Sequence, residues 1–315
     1  MLCQTAKAVA ADRDTQSLAR RKCVIALCTC TAQQRHRAAA ELVRRHMIVR
    51  HWILAWLLLA LLASCDIDDS PPERSMRVLF FGNSVTYVGN LPAVFSALCS
   101  ASGTQCSTEM IARGGATLTD RVADDSLKGA IGKGHFDYLV LQERGGDIMG
   151  AQMNQSGAQE RAESAAATLV QAAREHKMQP VLLGTYQGFP DASTALVSAE
   201  RALANGFDAA YVPVSNYLEC GRRENASLRW FDRDGMHPGP ELTLLMAVML
   251  YRELFDSSPA AAQIVVRALI YQVSSGLSAD EFASAQPVLA GTAPSITYDV
   301  ATVRAVLQLA DGQCK

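Results

Sequence analysis

The sequence has no excess of positive charge, since its 29 lysines and arginines are matched by 31 acidic residues. A nucleic-acid-binding protein needs a basic surface to contact phosphates, so the composition argues against that class. The 11 prolines and 21 glycines are too few for a collagen-like or low-complexity chain. The remaining picture, 49% apolar and 19% charged residues in a chain of 315, is typical of a globular protein with one or two domains.

Charge is distributed unevenly along the chain. Of the 29 basic and 31 acidic residues, 10 and three lie in residues 1–64, which leaves 19 basic and 28 acidic residues in 65–315. The basic front part contains the apolar run WILAWLLLALLA at 52–63, which is shorter than the roughly 20 residues of a membrane-spanning helix. A short apolar run behind Arg50 is typical of a secretory signal, with Met47 as the start.

The run ends in LASC, and its last residue, Cys65, resembles the lipidated cysteine of a bacterial lipoprotein signal. The resemblance implies export and a lipid anchor in the cell envelope, facing the periplasm, with 47–64 as the signal peptide and 65–75 as a polar tether. Residues 1–46 are then an over-extended reading frame without a fold, or they contribute to a twin-arginine signal. An ordinary cleaved signal and an uncleaved anchor are the alternatives to lipidation.

Apart from the lipidation site Cys65, the exported part contains four cysteines, an even number in an oxidising compartment. They are Cys99, Cys106, Cys220 and Cys314. Pairing Cys99 with Cys106 and Cys220 with Cys314 is one of three possible connectivities, and free buried thiols are the alternative.

Between residues 76 and 256, apolar runs of strand length alternate with segments of helix length. The predicted strands are 78–81, 107–111, 136–141, 180–184 and 210–214. The predicted helices are 91–102, 118–130, 156–177, 193–205 and 239–256, with two more at 260–277 and 298–310. Such alternation predicts an α/β fold in which helices cover both faces of a parallel sheet. We expect a flavodoxin-like three-layer α/β/α domain with five parallel strands, on which 257–315 packs as C-terminal helices.

Ligands of such sheets bind beyond the carboxyl ends of the strands. The segment GNS at 82–84 follows the first predicted strand directly, so Ser84 has a hydroxyl where the sheet can present it to a ligand. No glycine stands two residues after Ser84, so this is not the G-x-S-x-G nucleophile elbow. A serine after a strand is by itself usually a turn or cap residue, and a catalytic role needs a partner base.

Three histidines lie in the exported part. His135 and His176 fit structural or solvated positions, His176 near a helix C-terminus where a cation is favoured. His237 follows Asp234 by three residues on one predicted loop, where a carboxylate can orient an imidazole and stabilise its protonated form. Taken alone, Asp234 could instead bond backbone amides at a helix entry. A serine at the edge of the sheet favours the catalytic interpretation.

The segments GNS at 82–84 and DGMHP at 234–238, in this order on an α/β pattern, resemble the first and last motifs of the SGNH/GDSL hydrolase superfamily. The resemblance covers residues 76–256 and implies that Ser84, Asp234 and His237 form a catalytic triad. Asn83 stands where many members have an aspartate, and its expected role is to hold the Ser84 loop through amide hydrogen bonds.

The resemblance also implies an oxyanion hole, to which the Ser84 amide is the first donor. The second family motif matches RGGATL at 113–118, with Gly115 as the donor and Gly114 as the alternative. The Gly-x-Asn of the third motif is absent, and the chain has LQER at 141–144. Gln142 carries the same amide one methylene further out and is the candidate donor. The alternative for Gln142 is a strand-end residue that bonds loop backbone.

The implied function is a serine esterase that works through an acyl-enzyme and requires no metal or organic cofactor. The expected substrate is a small-molecule or glycan ester, with short acyl groups such as acetyl. A lipase or thioesterase for longer chains is a second enzymatic interpretation. Candidates for the pocket wall are Asn83, Thr86, Tyr87, Gly114, Arg144, Tyr186 and Phe189. The non-enzymatic alternative is an envelope lipoprotein that binds a glycan or a protein partner on the same scaffold.

Overall fold

The computed structural model describes residues 75–150, 157–187, 190–275, 281–284 and 295–312. The predicted signal peptide, the lipidation site Cys65 and nearly all of the tether lie outside these ranges, as do Phe189 and Cys314. Within the described ranges, no helix is long and apolar enough to cross a membrane.

The main sheet has five parallel strands and one antiparallel edge strand. The strands are β1 (Met76–Gly82), β2 (Cys106–Ala112), β3 (Tyr138–Leu141), β4 (Gln179–Leu183), β5 (Ala210–Val212) and, at the edge, β7 (Glu281–Ser284). Their order is β5-β4-β3-β1-β2-β7, and only the β2–β7 pair is antiparallel. Without β7 this is the flavodoxin-like order. The chain adds β2 on one side of β1 and β3 to β5 on the other, so the switch point of the strand order lies between β1 and β3. The predicted fold class is confirmed, and β7 is an addition that the sequence pattern did not indicate.

Helices connect the strands and cover both faces of the sheet. They are α1 (Ser84–Tyr87), α2 (Leu91–Ala101), α3 (Leu118–Ala123), α4 (Ser126–Ile131), α5 (Gly145–Ile148), α6 (Ala158–Glu175), α7 (Pro190–Gly206), α8 (Val214–Glu224), α9 (Pro240–Phe255) and α10 (Val300–Ala310). The predicted helix over 118–130 is two short helices, and α1, α5 and α8 were not predicted. The other helices of the domain agree with the prediction to within a few residues.

Strand β1 shows why the sheet is buried on both faces. Its side chains alternate, so Val78 and Phe80 belong to the core on one face, whereas Leu79 and Phe81 belong to the core on the other. The first core packs against α2, α8, α9 and α10, and the second against α3 to α7. This continuous apolar strand is typical of a parallel sheet between two helical layers.

The C-terminal segment differs from the expectation. A helix over 260–277 is wrong, because this stretch forms strand β6 (Ile264–Val266), which pairs with β8 (Ile296–Tyr298), and a short 3₁₀ turn, Val273–Ser275. The β-branched run Ile-Val-Val favours a strand, and an apolar run of this length does not distinguish the two structures. The expected helix over 298–310 is present as α10, which packs against α9.

Candidate active site

The first element of the site is the sharp turn between β1 and α1. Asn83 is the N-cap of α1, where its Oδ1 accepts a hydrogen bond from the Val85 amide at 3.0 Å. Its Nδ2 donates to the carbonyl of Ala116 at 3.1 Å, on the loop after β2. The side chain of Asn83 is therefore buried and links two loops at the carboxyl edge of the sheet, as expected for a residue that holds the Ser84 turn.

Ser84 is the first residue of α1 and is half-buried. The carbonyl of Asn83 accepts the next amides, those of Thr86 and Tyr87. The Ser84 amide has no acceptor among the described residues, as expected at the first position of a helix. An unpaired amide beside a serine hydroxyl is the arrangement that an oxyanion donor requires.

The second loop runs from Arg113 to Leu118, between β2 and α3. Gly115 has a φ of +69° and is exposed, and a Cβ there would meet nothing within 4 Å. Its amide also has no acceptor within the part of the chain that the structure describes. A side chain on Gly115 would be disfavoured by the positive φ and not by lack of space. Gly114 is exposed beside it.

Gln142 lies at the end of β3 and is 1% exposed. Its Oε1 accepts hydrogen bonds from the Asn83 amide at 3.3 Å and from the Thr86 hydroxyl at 3.0 Å. Its Nε2 donates to the carbonyl of Glu143. These bonds join β3 to the Ser84 turn, and one of the two amide hydrogens remains for a further acceptor.

Glu143 is a residue of this edge that the sequence analysis missed. It is 1% exposed, and its carboxylate accepts from the amides of Leu118 at 3.0 Å and Arg144 at 2.7 Å. Burial raises the pKa of Glu143 to about 7, although both backbone donors act to lower it. A glutamate two residues after a buried strand was the available signal, but its bond from the Leu118 amide joins residues 25 apart in the sequence.

The third element is the turn at Asp234–His237, just before α9. The Nδ1 of His237 lies 2.5 Å from Oδ2 of Asp234, while Oδ1 of Asp234 accepts from the amides of Met236 and His237, both at 3.0 Å. The Asp–His pair that the sequence indicated is therefore formed, and the same carboxylate also caps its own turn. Both interpretations of Asp234 apply at once.

The electrostatics of the pair decide the tautomer of His237. Partial desolvation acts to raise the pKa of Asp234, but the hydrogen bonds from His237 and the two backbone amides prevail and lower it to about 2. Asp234 is therefore a carboxylate at neutral pH and can only accept hydrogen bonds. The proton of a neutral His237 accordingly lies on Nδ1, which leaves Nε2 as the basic nitrogen.

Two contacts hold this turn against the rest of the domain. The hydroxyl of Tyr186, after β4, donates to the carbonyl of Met236 at 3.0 Å, and its ring packs on Phe231 at 5.8 Å between centroids. Burial and the charge of Asp234 raise the pKa of Tyr186, which keeps this donor protonated. Gly239, the N-cap of α9, also packs closely against Arg229. A Cβ on Gly239 would come within 2.1 Å of the carbonyl oxygen of Arg229.

Gly89, in the turn that follows α1, lies against the start of α9, which the Asp234–His237 turn precedes. A Cβ on Gly89 would lie 2.5 Å from Oγ1 of Thr243, in the first turn of that helix. Gly89 and Asp234 also line one cleft of about 920 Å³, whose lining residues include neither Ser84 nor His237. Among the described residues, no hydrogen bond joins Oγ of Ser84 to His237. Such bonds are often long in unliganded enzymes and shorten when substrate binds.

The remaining candidates for the pocket wall are mostly engaged in structural contacts. Thr86 is 1% exposed and bonds Gln142, and Tyr87 is 3% exposed and packs edge-to-face on Tyr271. Arg144 is half exposed and makes a two-pronged ion pair with Asp147, at 2.5 and 2.9 Å. This pairing accounts for the guanidinium without a substrate anion.

The other histidines and the cysteines fall outside this edge. His135 is exposed near Asp137, before β3, and His176 is the C-cap of α6, as expected from its sequence context. Cys99 and Cys106 form a disulfide, which is one half of the pairing considered above. Cys220 is also disulfide-bonded, and its pairing with Cys314, which lies outside the described residues, stays a prediction.

No group of three or more His, Cys, Asp or Glu side chains is placed to hold a metal ion in the described ranges. The chemistry that this edge of the sheet offers is that of a hydroxyl, a carboxylate-bound imidazole and unpaired amides.

Several solved structures of other proteins are similar to part of this chain. No protein-family profile and no curated protein matches the chain. A protein from Slackia heliotrinireducens assigned as an SGNH hydrolase shares 24% identity over 57% of this chain and 100% of its own, with a TM-score of 0.47. An acetylxylan esterase from Geobacillus stearothermophilus shares 14% identity over 58% and 96%, with a TM-score of 0.46. A DUF4886 family protein from Bacteroides uniformis shares 14% over 76% and 94%, with a TM-score of 0.49.

These three similarities are low in identity and in TM-score. Two of the three neighbours carry hydrolase or esterase descriptions, which concern those proteins. Any function assigned to this chain has to be argued from its own residues.

Proposed function

We propose that the chain is a serine esterase of the SGNH/GDSL type, in which Ser84, His237 and Asp234 form the triad. The observation that carries the proposal is the Asp234–His237 pair, 2.5 Å between Oδ2 and Nδ1, on a turn that lines one cleft with Val88 and Gly89, which follow α1. A structural turn needs the backbone bonds of Asp234, but it does not need an imidazole fixed with Nε2 as its free base.

The proposed reaction proceeds by acyl transfer to water. Nε2 of His237 takes the proton of Ser84 as Oγ attacks the ester carbonyl, and the negative charge moves to the carbonyl oxygen. The intermediate collapses when the protonated His237 gives its proton to the departing alcohol. A water molecule, deprotonated by His237, then attacks the acyl carbon. The bond to Oγ of Ser84 breaks, His237 returns the proton to Oγ, and the acid is released.

The oxyanion is proposed to bind the amides of Ser84 and Gly115. Both amides lack acceptors among the described residues, which supports this role. Gln142 is the proposed third donor through its remaining amide hydrogen. Removal of one such donor typically costs about 2.7–4 kcal/mol of transition-state stabilisation.

The proposed substrates are short acyl esters, including acetyl groups on glycans, in the cell envelope. Lipidation of Cys65 should anchor the protein in the membrane. Palmitate labelling of the wild type that is lost in Cys65→Ala would distinguish a lipoprotein from an uncleaved signal anchor. Anchoring at Cys65, behind the tether, would place the esterase at a membrane surface.

The test of the activity is hydrolysis by the purified full-length chain of nitrophenyl esters from acetyl to dodecanoyl. We expect turnover of the acetyl ester and its loss in Ser84→Ala. Preference for the dodecanoyl ester would instead indicate a lipase.

A non-catalytic binding lipoprotein is the second candidate function. The observations that favour it are the missing Ser84–His237 hydrogen bond in the described region and the engagement of the Gln142 amide with Glu143. A binding protein would keep its cellular phenotype in Ser84→Ala, whereas an esterase would lose it.

A further inference from the structure

Glu143 is a buried carboxylate that the proposed reaction does not use. Its two oxygens accept hydrogen bonds from two different loops, Oε2 from the Leu118 amide at 3.0 Å and Oε1 from the Arg144 amide at 2.7 Å. Leu118 begins α3, directly after the loop that contains Gly115. Glu143 therefore connects the end of β3 to the loop of the proposed oxyanion donor.

The Ser84 turn also holds the loop that contains Gly115. Asn83, one residue before Ser84, donates to the carbonyl of Ala116 at 3.1 Å. The segment from Ala116 to Leu118 is thus bonded at one end to the Ser84 turn and at the other to Glu143. The Thr117–Asp120 capping box closes the start of α3 in between.

We propose that Glu143 is a positioning residue of the oxyanion hole, whose ionised carboxylate holds the Gly115 loop in register with Ser84. The inference rests on the proposed esterase function. It assigns Glu143 no contact with substrate, since the side chain is 1% exposed.

The ionised form is needed because it offers acceptors to both amides. Protonation turns one carboxylate oxygen into a neutral hydroxyl, which is a weaker acceptor, so the bond from either Leu118 or Arg144 is weakened. Burial is the main cause that raises the pKa of Glu143 to about 7, so this change falls in the physiological range. The charged groups that act on Glu143 are Arg144 and Asp147, which form an ion pair with each other.

The test uses the full-length chain with Glu143→Gln and Glu143→Asp. Gln keeps the size but presents an amide N–H to one of the two backbone donors. We expect kcat for the acetyl ester to fall about 10–100-fold with KM nearly unchanged, because the oxyanion donor is displaced and not removed. Glu143→Asp should recover part of the loss. Glu109→Gln, on β2 and ion-paired with Arg77, is the matched control and should retain wild-type kcat.

The pH profile separates this role from a merely structural one. As the pH falls through about 7, the wild type should lose the part of its activity that depends on ionised Glu143, and Glu143→Gln should not show this loss. A wild-type kcat in Glu143→Gln, or an acid limb of the same shape in both proteins, would overturn the inference.

Hydrogen exchange measured by mass spectrometry provides a readout that does not depend on turnover. Peptides covering 113–118 should exchange faster in Glu143→Gln, and in the wild type below pH 7 after correction for the intrinsic rate. Unchanged exchange in both cases would overturn the positioning role even if Glu143→Gln folds poorly. If the wild type hydrolyses no ester, the proposed function fails and the catalytic part of the inference with it, whatever the exchange shows.

Discussion

Replacing Asp234 with asparagine changes one atom and should abolish most of the activity. In the protein, Oδ1 of Asp234 accepts from two backbone amides at 3.0 Å and Oδ2 accepts from Nδ1 of His237 at 2.5 Å. The carbonyl oxygen of asparagine can keep both backbone bonds. Its NH₂ group then faces Nδ1 of His237, which favours the tautomer with the proton on Nε2. That imidazole cannot accept the proton of Ser84.

The magnitude follows from the loss of the base. When an aspartate of this kind is replaced by asparagine, the wrong tautomer typically lowers kcat by about 10⁴-fold. This corresponds to about 5 kcal/mol of activation free energy. The stability of the fold should change little, because the turn keeps its backbone hydrogen bonds.

The assay is kcat for nitrophenyl acetate, with thermal unfolding of the same preparations. Asp232→Asn is the matched control, because Asp232 lies on the same loop and its side chain accepts from the Arg233 amide at 2.7 Å and from no other group among the described residues. We expect Asp232→Asn to keep kcat within a few-fold. If Asp234→Asn were folded and retained kcat within about 10-fold of the wild type, Asp234 would not be the orienting acid of a triad.

Three further changes test other parts of the structure. Gln142→Ala should slow ester turnover about 100–1,000-fold if its amide donates to the oxyanion, and a rate close to wild type would reject that role. Glu200, fully buried, has its pKa raised from 4.5 to about 7 mainly by burial, so folding stability should fall as pH rises between these values, by about 3 kcal/mol. Glu200→Gln should shrink the stability difference between pH 5 and pH 8 in urea unfolding by that amount, and an equal difference in both proteins would contradict the assignment. Tyr186→Phe removes the bond to Met236 and should lower kcat with little change in KM; a change in KM alone would indicate substrate contact instead.

Local patterns in the sequence were sufficient to predict the five parallel strands of the sheet. Each parallel strand is a short apolar run, and right-handed crossovers leave few topologies once β–α alternation is clear. The Asp234–His237 pair was also predictable, because both residues lie on one turn and their contact needs no other part of the fold. The N-cap role of Asn83 is local in the same sense.

Contacts between distant segments were not predictable. Glu143 is bonded by the Leu118 amide, 25 residues away in the sequence, and nothing local to the LQER segment indicates this contact. The prediction of a helix over 260–277 was wrong for a related reason. The apolar residues of this region fit a helix or a strand, and the pairing of β6 with β8 decides between them. The position of Gln142 was indicated, but its three hydrogen bonds depend on Asn83, Thr86 and the turn of Glu143.

The most direct test of the account is covalent labelling of Ser84. The purified chain is treated with a fluorophosphonate probe, and the adduct is mapped by mass spectrometry in the wild type, Ser84→Ala and His237→Ala. The account predicts an adduct on Ser84 of the wild type that is absent from Ser84→Ala and strongly reduced in His237→Ala. A well-folded wild type without an adduct, or an adduct on Ser84 that does not depend on His237, would contradict an activated serine nucleophile at this site.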